Sequence, residues 1–246
     1  MIAKAQIKKI RLLHQKKYRD EAGLFIAEGP KLVQEILNPI AIGSKFKVKE
    51  IFATEEFQVQ GSGFKVQQVT EKELLQISAL TSPNQVIGIF ETKMLKPDIG
   101  VLKNELILAL DDIRDPGNLG TIIRIADWFG IHHILCSPEC VDVFNPKVVQ
   151  ATMGSIARVN VYYTDLHTML KELNPVYAAV LDGGNIYAEE LSSKGVIVIG
   201  NESKGISDKL MKLVTHKLVI PGFSPAADSL NAAAATAVIC SEFRRR

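Results

Sequence analysis

The strongest constraint on the fold is a nearly continuous apolar run, ELILALDDI at 105–113, followed by a regular alternation of strand and helix patterns. A strand that is buried on both faces has this character, because helices cover both sides of its sheet. Further strand patterns lie at 132–137, 157–163, 176–182, 195–200 and 216–221. Helical patterns lie at 121–130, 146–154, 165–173, 207–214 and 229–243. This alternation predicts an α/β domain with a parallel sheet covered on both faces.

The residues before this domain predict a second, smaller α/β domain. Apolar residues at helical spacing predict helices at 4–18, 31–37 and 71–78. Runs rich in β-formers predict strands at 49–54, 64–69 and 85–91, the first two separated by a glycine turn at 61–63. The stretch at 93–105 places a proline and a glycine among charges, as a linker does. We therefore expect domains at 1–92 and 106–246.

Composition excludes several other classes of protein. Of the 246 residues, 47% are hydrophobic and 23% are charged, as in ordinary globular proteins. No stretch approaches the ~20 apolar residues of a membrane span, and the basic start lacks the apolar core of a secretory signal. Cys136, Cys140 and Cys240 are too few for a disulfide framework and lie in no zinc-binding motif. We expect a cytoplasmic protein with neither a metal nor a membrane partner.

Charge is distributed unevenly along the chain. Residues 1–96 carry 15 Lys and Arg against 10 Asp and Glu, whereas residues 97–246 carry 14 against 17. A basic cluster near the start is either a solvated helix face or a surface that binds phosphates, and charge alone leaves both open. If the cluster binds RNA, the expected contacts are Lys8, Lys9, Arg11, Lys16, Lys17 and Arg19.

The first of three unusual loops follows the strand at 105–113. Ligands of parallel α/β sheets bind at the carboxyl ends of strands. Here Asn118 is a candidate helix cap, and Arg124 lies in an otherwise apolar helical pattern. Because a buried lone arginine is costly, Arg124 either pairs with Asp112 or Asp115 or faces the ligand.

The other two loops follow the strands at 195–200 and 216–221. GNESKGIS at 200–207 is rich in hydrogen-bonding groups, as ligand loops are, but lacks the lysine and hydroxyl that follow a P-loop glycine. IPGFSPAADSLNAAAA at 220–235 is rich in turn residues, and Asp228 or Ser229 is the expected cap of its alanine-rich helix. No G-x-G-x-x-G follows a strand, so a Rossmann dinucleotide site is not indicated.

In order and spacing the three loops resemble one known family. N-x-G-x-x-x-R-x-A at 118–126, G-N-E-S-x-G at 200–205 and I-P…S-L-N at 220–231 are similar to the motifs of the SpoU (TrmH-type) branch of the SPOUT RNA methyltransferases. DVFNPKVVQATMGSIARV at 142–159 also resembles that family. KIRLLHQKKYRDEAGLFIAEGPKLVQEIL at 9–37 resembles the substrate-binding domain that often precedes it.

The resemblance implies S-adenosylmethionine-dependent methylation of a ribose 2′-hydroxyl in RNA by a homodimer that associates through the C-terminal domain. It implies a SPOUT domain with a deep trefoil knot, preceded by a ribosomal-protein-like α/β domain that binds RNA. By motif position it implies catalytic residues Arg124, Asn118, Glu202, Ser203 and Asn231. It implies cofactor contacts from Gly200, Ile220, Ser229 and Leu230.

The resemblance also implies a separate role for each of these catalytic residues. Arg124 acts as a base or fixes an RNA phosphate and orients the hydroxyl; because arginine stays protonated, orientation fits its chemistry. The two asparagines, Asn118 and Asn231, orient Arg124 or the ribose. Glu202 holds Asn118 or a backbone turn, and Ser203 bonds the substrate.

Two features depart from the family pattern. The loop at 222–228 is about one residue longer and has Ser224-Pro225 where a glycine is common, so we expect altered cofactor-loop geometry. Ile125 replaces a frequent threonine.

Large-subunit ribosomal RNA is the expected substrate, because the appended domain suits a structured stem-loop. Transfer RNA is one alternative, and a catalytically silent RNA-binding protein of the same fold is another. A small-molecule α/β enzyme leaves the basic first helix unexplained.

Overall fold

The structure is a computed structural model that describes residues 2–37, 45–58, 65–224 and 229–245. Its helices are α1 (Lys4–Leu12), α2 (Lys16–Ala22), α3 (Pro30–Leu37), α4 (Glu71–Ile77), α5 (Ile99–Leu102), α6 (Pro116–Trp128), α7 (Pro146–Thr152), α8 (Leu166–Leu170), α9 (Asp208–Met211) and α10 (Ala232–Arg245). Its strands are β1 (Leu24–Glu28), β2 (Val48–Ala53), β3 (Val66–Gln68), β4 (Val86–Glu91), β5 (Leu106–Leu110), β6 (His133–Cys136), β7 (Asn160–Tyr163), β8 (Val176–Asn185), β9 (Gly195–Ile199) and β10 (His216–Val219).

The chain forms two compact units. The first comprises Met1–Met94 and Asp142–Arg158, and the second comprises Leu95–Val141 and Val159–Arg246. Residues 142–158 lie between two parts of the parallel-sheet sequence but group with the N-terminal residues. The domain limits expected from sequence, 1–92 and 106–246, stay predictions.

The first unit contains a four-stranded sheet in the order β1-β4-β2-β3. Strands β1 and β2 pair antiparallel with β4, and β3 pairs parallel with β2. One face carries a core that includes Ile10, Phe52, Leu74 and Ile87, all buried. Burying each such side chain contributes about 1.5–3 kcal/mol. The glycine turn expected at 61–63 lies outside the described residues.

The segment 142–158 belongs to this unit through packing and charge. The ring of Phe144 lies 4.9 Å from that of Phe25 on β1, and α7 contacts the same strand. The guanidinium of Arg158 lies 2.6 Å from the carboxylate of Glu35 on α3. Both contacts join residues more than 100 positions apart, which sequence periodicity does not reveal.

The single helix predicted at 4–18 is wrong, because α1 ends at Leu12 and α2 begins at Lys16. Leu13, between the two helices, is buried in the core. The adjacent His14 ring hydrogen-bonds with the carbonyl oxygen of Ile77 at 3.2 Å. Tertiary contacts of the intervening turn therefore override the helical periodicity.

The second unit contains a six-stranded parallel sheet in the order β10-β8-β9-β5-β6-β7. Each of the six predicted apolar runs overlaps one of these strands, so the predicted parallel α/β fold is confirmed. On one face, Ile107 and Val198 pack with Leu102 of α5, Leu170 of α8 and Leu210 of α9. Elsewhere in the unit, α6 packs against α10.

Helix α6 starts five residues earlier than the predicted segment at 121–130. Pro116 occupies its first turn, where a missing N–H is tolerated. The Asp115 carboxylate accepts a hydrogen bond from the backbone N–H of Asn118 at 2.7 Å. The helix cap is therefore Asp115, and the expected cap Asn118 lies inside the first turn with its side chain available for another contact.

Candidate active site

A cavity of about 540 Å³ opens at the carboxyl edge of the parallel sheet. Its walls come from the end of β8, the loop after β9, the end of β10 and the start of α10. The four residues expected to contact the cofactor all line it: Gly200, Ile220, Ser229 and Leu230. The structure thus brings together residues that are up to 30 positions apart in the sequence.

Asn201 fixes the shape of the loop after β9. Its side-chain oxygen accepts the backbone N–H groups of Ser203 and Lys204 at 3.0 and 3.1 Å. Its backbone exchanges two hydrogen bonds with Gly205. Gly200 has no room for a side chain, because a Cβ there would lie 2.3 Å from the carbonyl carbon of Gly205. The first glycine of the motif is therefore a steric requirement.

The same loop is held to the end of β5 by two further hydrogen bonds. The Asn201 side-chain amide donates to the carbonyl oxygen of Asp112 at 2.7 Å. The buried carboxylate of Asp111 accepts the backbone N–H of Ser207, also at 2.7 Å. Neither Asn201 nor Asp111 is among the predicted site residues, although Asn201 lies in the loop at 200–207 and Asp111 directly follows β5.

Glu202 joins the second motif to the first. The side-chain amide of Asn118, in the first turn of α6, donates to its carboxylate at 2.6 Å. The expectation that Glu202 holds Asn118 therefore agrees with the geometry. Ser203 is exposed and lines the cavity beside Glu202.

Asn231 begins α10. Its side-chain oxygen accepts the backbone N–H of Ala234 at 2.7 Å, which makes it the helix cap. The expected capping role of Ser229 is therefore wrong, and Asp228 lies outside the described residues. So does Pro225 of the longer loop, which leaves the expected change in loop geometry a prediction. The cap orients the Asn231 side chain, and within the described ranges its amide group donates no hydrogen bond.

Arg124 lies on the exposed face of α6. Asp112 binds Arg114 instead, at 2.6 Å, and Asp115 caps the helix. Within the part of the chain that the structure describes, Arg124 has no hydrogen bond or ion pair, so the alternative in which it pairs with Asp112 or Asp115 is wrong. It is not among the described residues that line the cavity.

The chemistry of the cavity fits S-adenosylmethionine. Its volume lies within the ~300–1,000 Å³ of typical ligand sites. Part of the wall is apolar and suits packing against the purine base of this cofactor; it is formed by Ile199, Ile206 and Leu218. The carboxylate of Asp182 suits a positively charged sulfonium. A hydrogen bond from Lys217 lowers the pKa of Asp182, which keeps that carboxyl ionised.

Arg19, an expected RNA contact, is not available to RNA. Its side chain is 2% exposed and lies 2.6 Å from the carboxylate of Asp142. A second nitrogen of the guanidinium donates to the carbonyl oxygen of Leu13 at 3.0 Å. Arg19 therefore fastens α2 to the segment 142–158, and its expected role in binding phosphate is wrong.

The other expected RNA contacts are on the surface. Lys16 and Lys17 form ion pairs with Asp20 and Glu21 one turn later on α2, at 2.6 and 4.0 Å. Exposed pairs of this kind are weak, and they reduce the local positive charge. The remaining exposed bases of this group lie on α1: Lys8, Lys9 and Arg11.

Family comparison agrees with this site. Residues 105–241 match the SpoU rRNA Methylase family, and residues 4–88 match the MRM3-like substrate binding domain. The chain belongs to the SpoU rRNA methylase family. The predicted family, methyltransferase activity and use of S-adenosylmethionine are confirmed.

Individual relatives match this SpoU methylase over almost its whole length. The 23S rRNA (guanosine(2553)-2′-O)-methyltransferase RlmP of Bacillus subtilis is 28% identical over 97% of this chain and 96% of its own. The structure of a TrmH-family protein from Porphyromonas gingivalis is 36% identical, with a TM-score of 0.88 and coverage of 100% and 99%. An AdoMet-bound rRNA methyltransferase from Sinorhizobium meliloti is 32% identical, with a TM-score of 0.86 and coverage of 100% and 97%.

Two further kinds of site are absent from the described residues. No helix there is long and apolar enough to cross a bilayer. No group of three or more His, Cys, Asp or Glu side chains there is arranged to hold a metal ion.

Proposed function

We propose that this SpoU methylase transfers a methyl group from S-adenosylmethionine to a ribose 2′-hydroxyl of large-subunit ribosomal RNA. The observation that carries the proposal is the convergence of the three motifs, with Gly200, Ile220 and Leu230 on one cavity and Glu202 bonded to Asn118. The similarity to the Bacillus subtilis 23S rRNA enzyme over nearly both whole chains supports ribosomal RNA as the substrate.

The proposed mechanism depends on orientation more than on a strong base. When bound, the cofactor would supply a methyl group on a positive sulfonium for in-line displacement by the ribose oxygen. The new C–O bond would form as the methyl–sulfur bond breaks, and the hydroxyl proton would pass to the neighbouring RNA phosphate or to water. Arg124 binds a phosphate next to the target ribose and orients the hydroxyl. Asn118, held by Glu202, and Asn231, held by its capping bond, position the ribose. Ser203 donates a hydrogen bond to the substrate.

We propose that the active protein is a homodimer formed through the C-terminal domain. Trp128, in the last turn of α6, is 85% exposed. Exposed tryptophans often anchor protein interfaces. Arg124 lies one turn earlier on the same exposed face. A partner subunit that binds this face would therefore place its own residues next to Arg124.

We also propose that the C-terminal segment forms the trefoil knot and that the protein acts in the cytoplasm. Family membership supports the knot, as does a cavity whose walls combine the loop after β9, the end of β10 and the start of α10. The cytoplasmic location is proposed because the proposed substrate is ribosomal RNA.

The test compares cells that contain the wild-type protein with cells that contain Arg124→Ala. Ribose methylation is mapped across total RNA, and we expect one large-subunit position to lose its methyl group in the variant. Calorimetry with S-adenosylmethionine should give nearly the same affinity for both proteins, because Arg124 does not line the cavity. Arg114→Ala, which removes a nearby exposed arginine, is the control and should leave methylation unchanged. Unchanged methylation in Arg124→Ala removes that residue from the mechanism, and loss at a transfer RNA position identifies the alternative substrate.

A further inference from the structure

A second cavity, of about 430 Å³, lies in the first unit where the chain enters β2 and leaves β4. We call it the lysine cleft, and the described residues that line it are Lys45, Phe46, Lys47, Glu91, Thr92 and Lys93. Three of these six residues are lysines. This cleft lies outside α1 and α2, which carry the basic residues expected to bind RNA.

The pairing of β2 with β4 brings the lysines together. The backbone N–H of Glu91 donates to the carbonyl oxygen of Lys47 at 2.9 Å, so these residues lie opposite each other. Lys45 and Lys93 lie two residues beyond this pair on either segment, and both line the cleft. Like charges that share one cleft repel. The cleft therefore contains a pair of cations that a bound anion would stabilise.

The surroundings of Lys45 strengthen this argument. Its ammonium donates to the carbonyl oxygen of Ile156 at 3.1 Å and lies 5.2 Å from the centre of the Phe46 ring. Burial, with a further contribution from the charge of Lys93, lowers the pKa of Lys45 to about 8.

One carboxylate, that of Glu91, lines the described part of the cleft. It lies 3.6 Å from the Lys47 ammonium, whose side chain is largely exposed. An exposed ion pair of this kind contributes little and yields readily to a competing anion. The cleft therefore keeps an excess of positive charge, whereas Lys16 and Lys17 on α2 each have an acidic partner.

We propose that the lysine cleft binds backbone phosphates of the RNA substrate, as a second phosphate-binding surface beside the exposed bases of α1. Lysine binds phosphate as a compact point charge, and the Thr92 hydroxyl can add a hydrogen bond. The proposal rests on the proposed function, because it assumes that the chain acts on RNA.

The test is the salt dependence of RNA binding by Lys47→Gln/Lys93→Gln. Both side chains are exposed, so the variant should unfold at the same urea concentration as the wild type. The probe is an unmodified in vitro transcript of 23S rRNA, titrated at 50 and 200 mM KCl. Removing one lysine–phosphate contact reduces the slope of log K against log salt by about 0.9, so removing two reduces it by about 1.8. The affinity of the variant should therefore fall about tenfold less than that of the wild type over this range.

The matched control is Lys31→Gln/Lys72→Gln, which removes two exposed lysines of the same unit outside the cleft. It should keep the wild-type slope. A wild-type slope in Lys47→Gln/Lys93→Gln, or an equal reduction in the control, overturns the cleft proposal and leaves the proposed function standing. A wild-type protein that binds the transcript at neither salt concentration refutes both.

Discussion

At the scale of single residues, the contact between Glu202 and Asn118 is the most direct link between two motifs. We expect Glu202→Ala to lower kcat about 10–100-fold, since a hydrogen bond to a charged group contributes about 1.5–3 kcal/mol. Affinity for S-adenosylmethionine, measured by calorimetry, should change less than threefold. Glu202→Gln keeps an acceptor for the Asn118 amide and should recover most of the activity.

A different result would assign Glu202 another role. If Glu202→Gln is as inactive as Glu202→Ala, the charge of the carboxylate matters more for activity than its hydrogen bond with Asn118. If both variants lose cofactor affinity and keep kcat, Glu202 belongs to the cofactor site alone.

Sequence identifies the site residues better than it identifies their contacts. The motifs locate Gly200, Ile220 and Leu230, and the structure gathers all three at one cavity. The motifs do not show that Asp115 caps α6 or that Asn231 caps α10. Several residues near a helix start can serve as its cap, and backbone geometry, which a single sequence does not record, selects among them.

At the scale of elements, the ion pair between Arg19 and Asp142 holds α2 to the segment 142–158. Breaking a buried pair leaves an uncompensated charge, so Arg19→Met should reduce the free energy of unfolding by about 3–5 kcal/mol. Arg19→Met/Asp142→Asn removes both charges and should be less destabilised. Urea unfolding followed by circular dichroism measures both variants. Equal stability of the single variant and the wild type would show that the pair contributes nothing.

The start of α4 gives a prediction about pH. Backbone N–H groups of Thr70 and Ile2 bind the Glu73 carboxylate and lower its pKa from 4.5 to about 2. A carboxyl whose pKa is lower in the folded state stabilises the protein above pH 4.5, and this contribution is lost as the pH falls toward 2. We expect Glu73→Gln to be less stable than the wild type at pH 6.

The difference between Glu73→Gln and the wild type should shrink steadily as the pH falls from about 4.5 to about 2. Urea unfolding midpoints of both proteins between pH 2 and 6 measure it. The comparison cancels the titration of the other carboxyls, which both proteins share. A constant difference across this range would show that the carboxylate charge has no part in the cap.

Elements of the parallel sheet were easier to predict than those of the first unit. Each strand of that sheet is a short apolar run, and burial on both faces produces this signal directly. The break between α1 and α2 has no such signal, because it follows from contacts of Leu13 and His14 with distant residues. Local periodicity cannot report a contact that is 63 positions away.

At the scale of the whole molecule, sequence order and spatial grouping differ. Residues 142–158 continue the parallel-sheet sequence, yet they group with residues 1–94. The Arg19–Asp142 and Glu35–Arg158 pairs each span 123 positions. Local composition shifts in the sequence therefore do not reveal the return of the chain to the first unit.

The proposed homodimer predicts that a charge at Trp128 separates the subunits. An exposed tryptophan buried between subunits contributes strongly to association, and a carboxylate in its place would be desolvated without a partner. We expect Trp128→Glu to sediment at half the mass of the wild type and to lose at least tenfold in methyl transfer, because the site is proposed to lie near the interface. Leu75→Glu, which charges an exposed apolar residue of the first unit, should remain dimeric and active. A wild-type monomer, or a Trp128→Glu variant that remains a dimer, would exclude this face of α6 as the subunit interface.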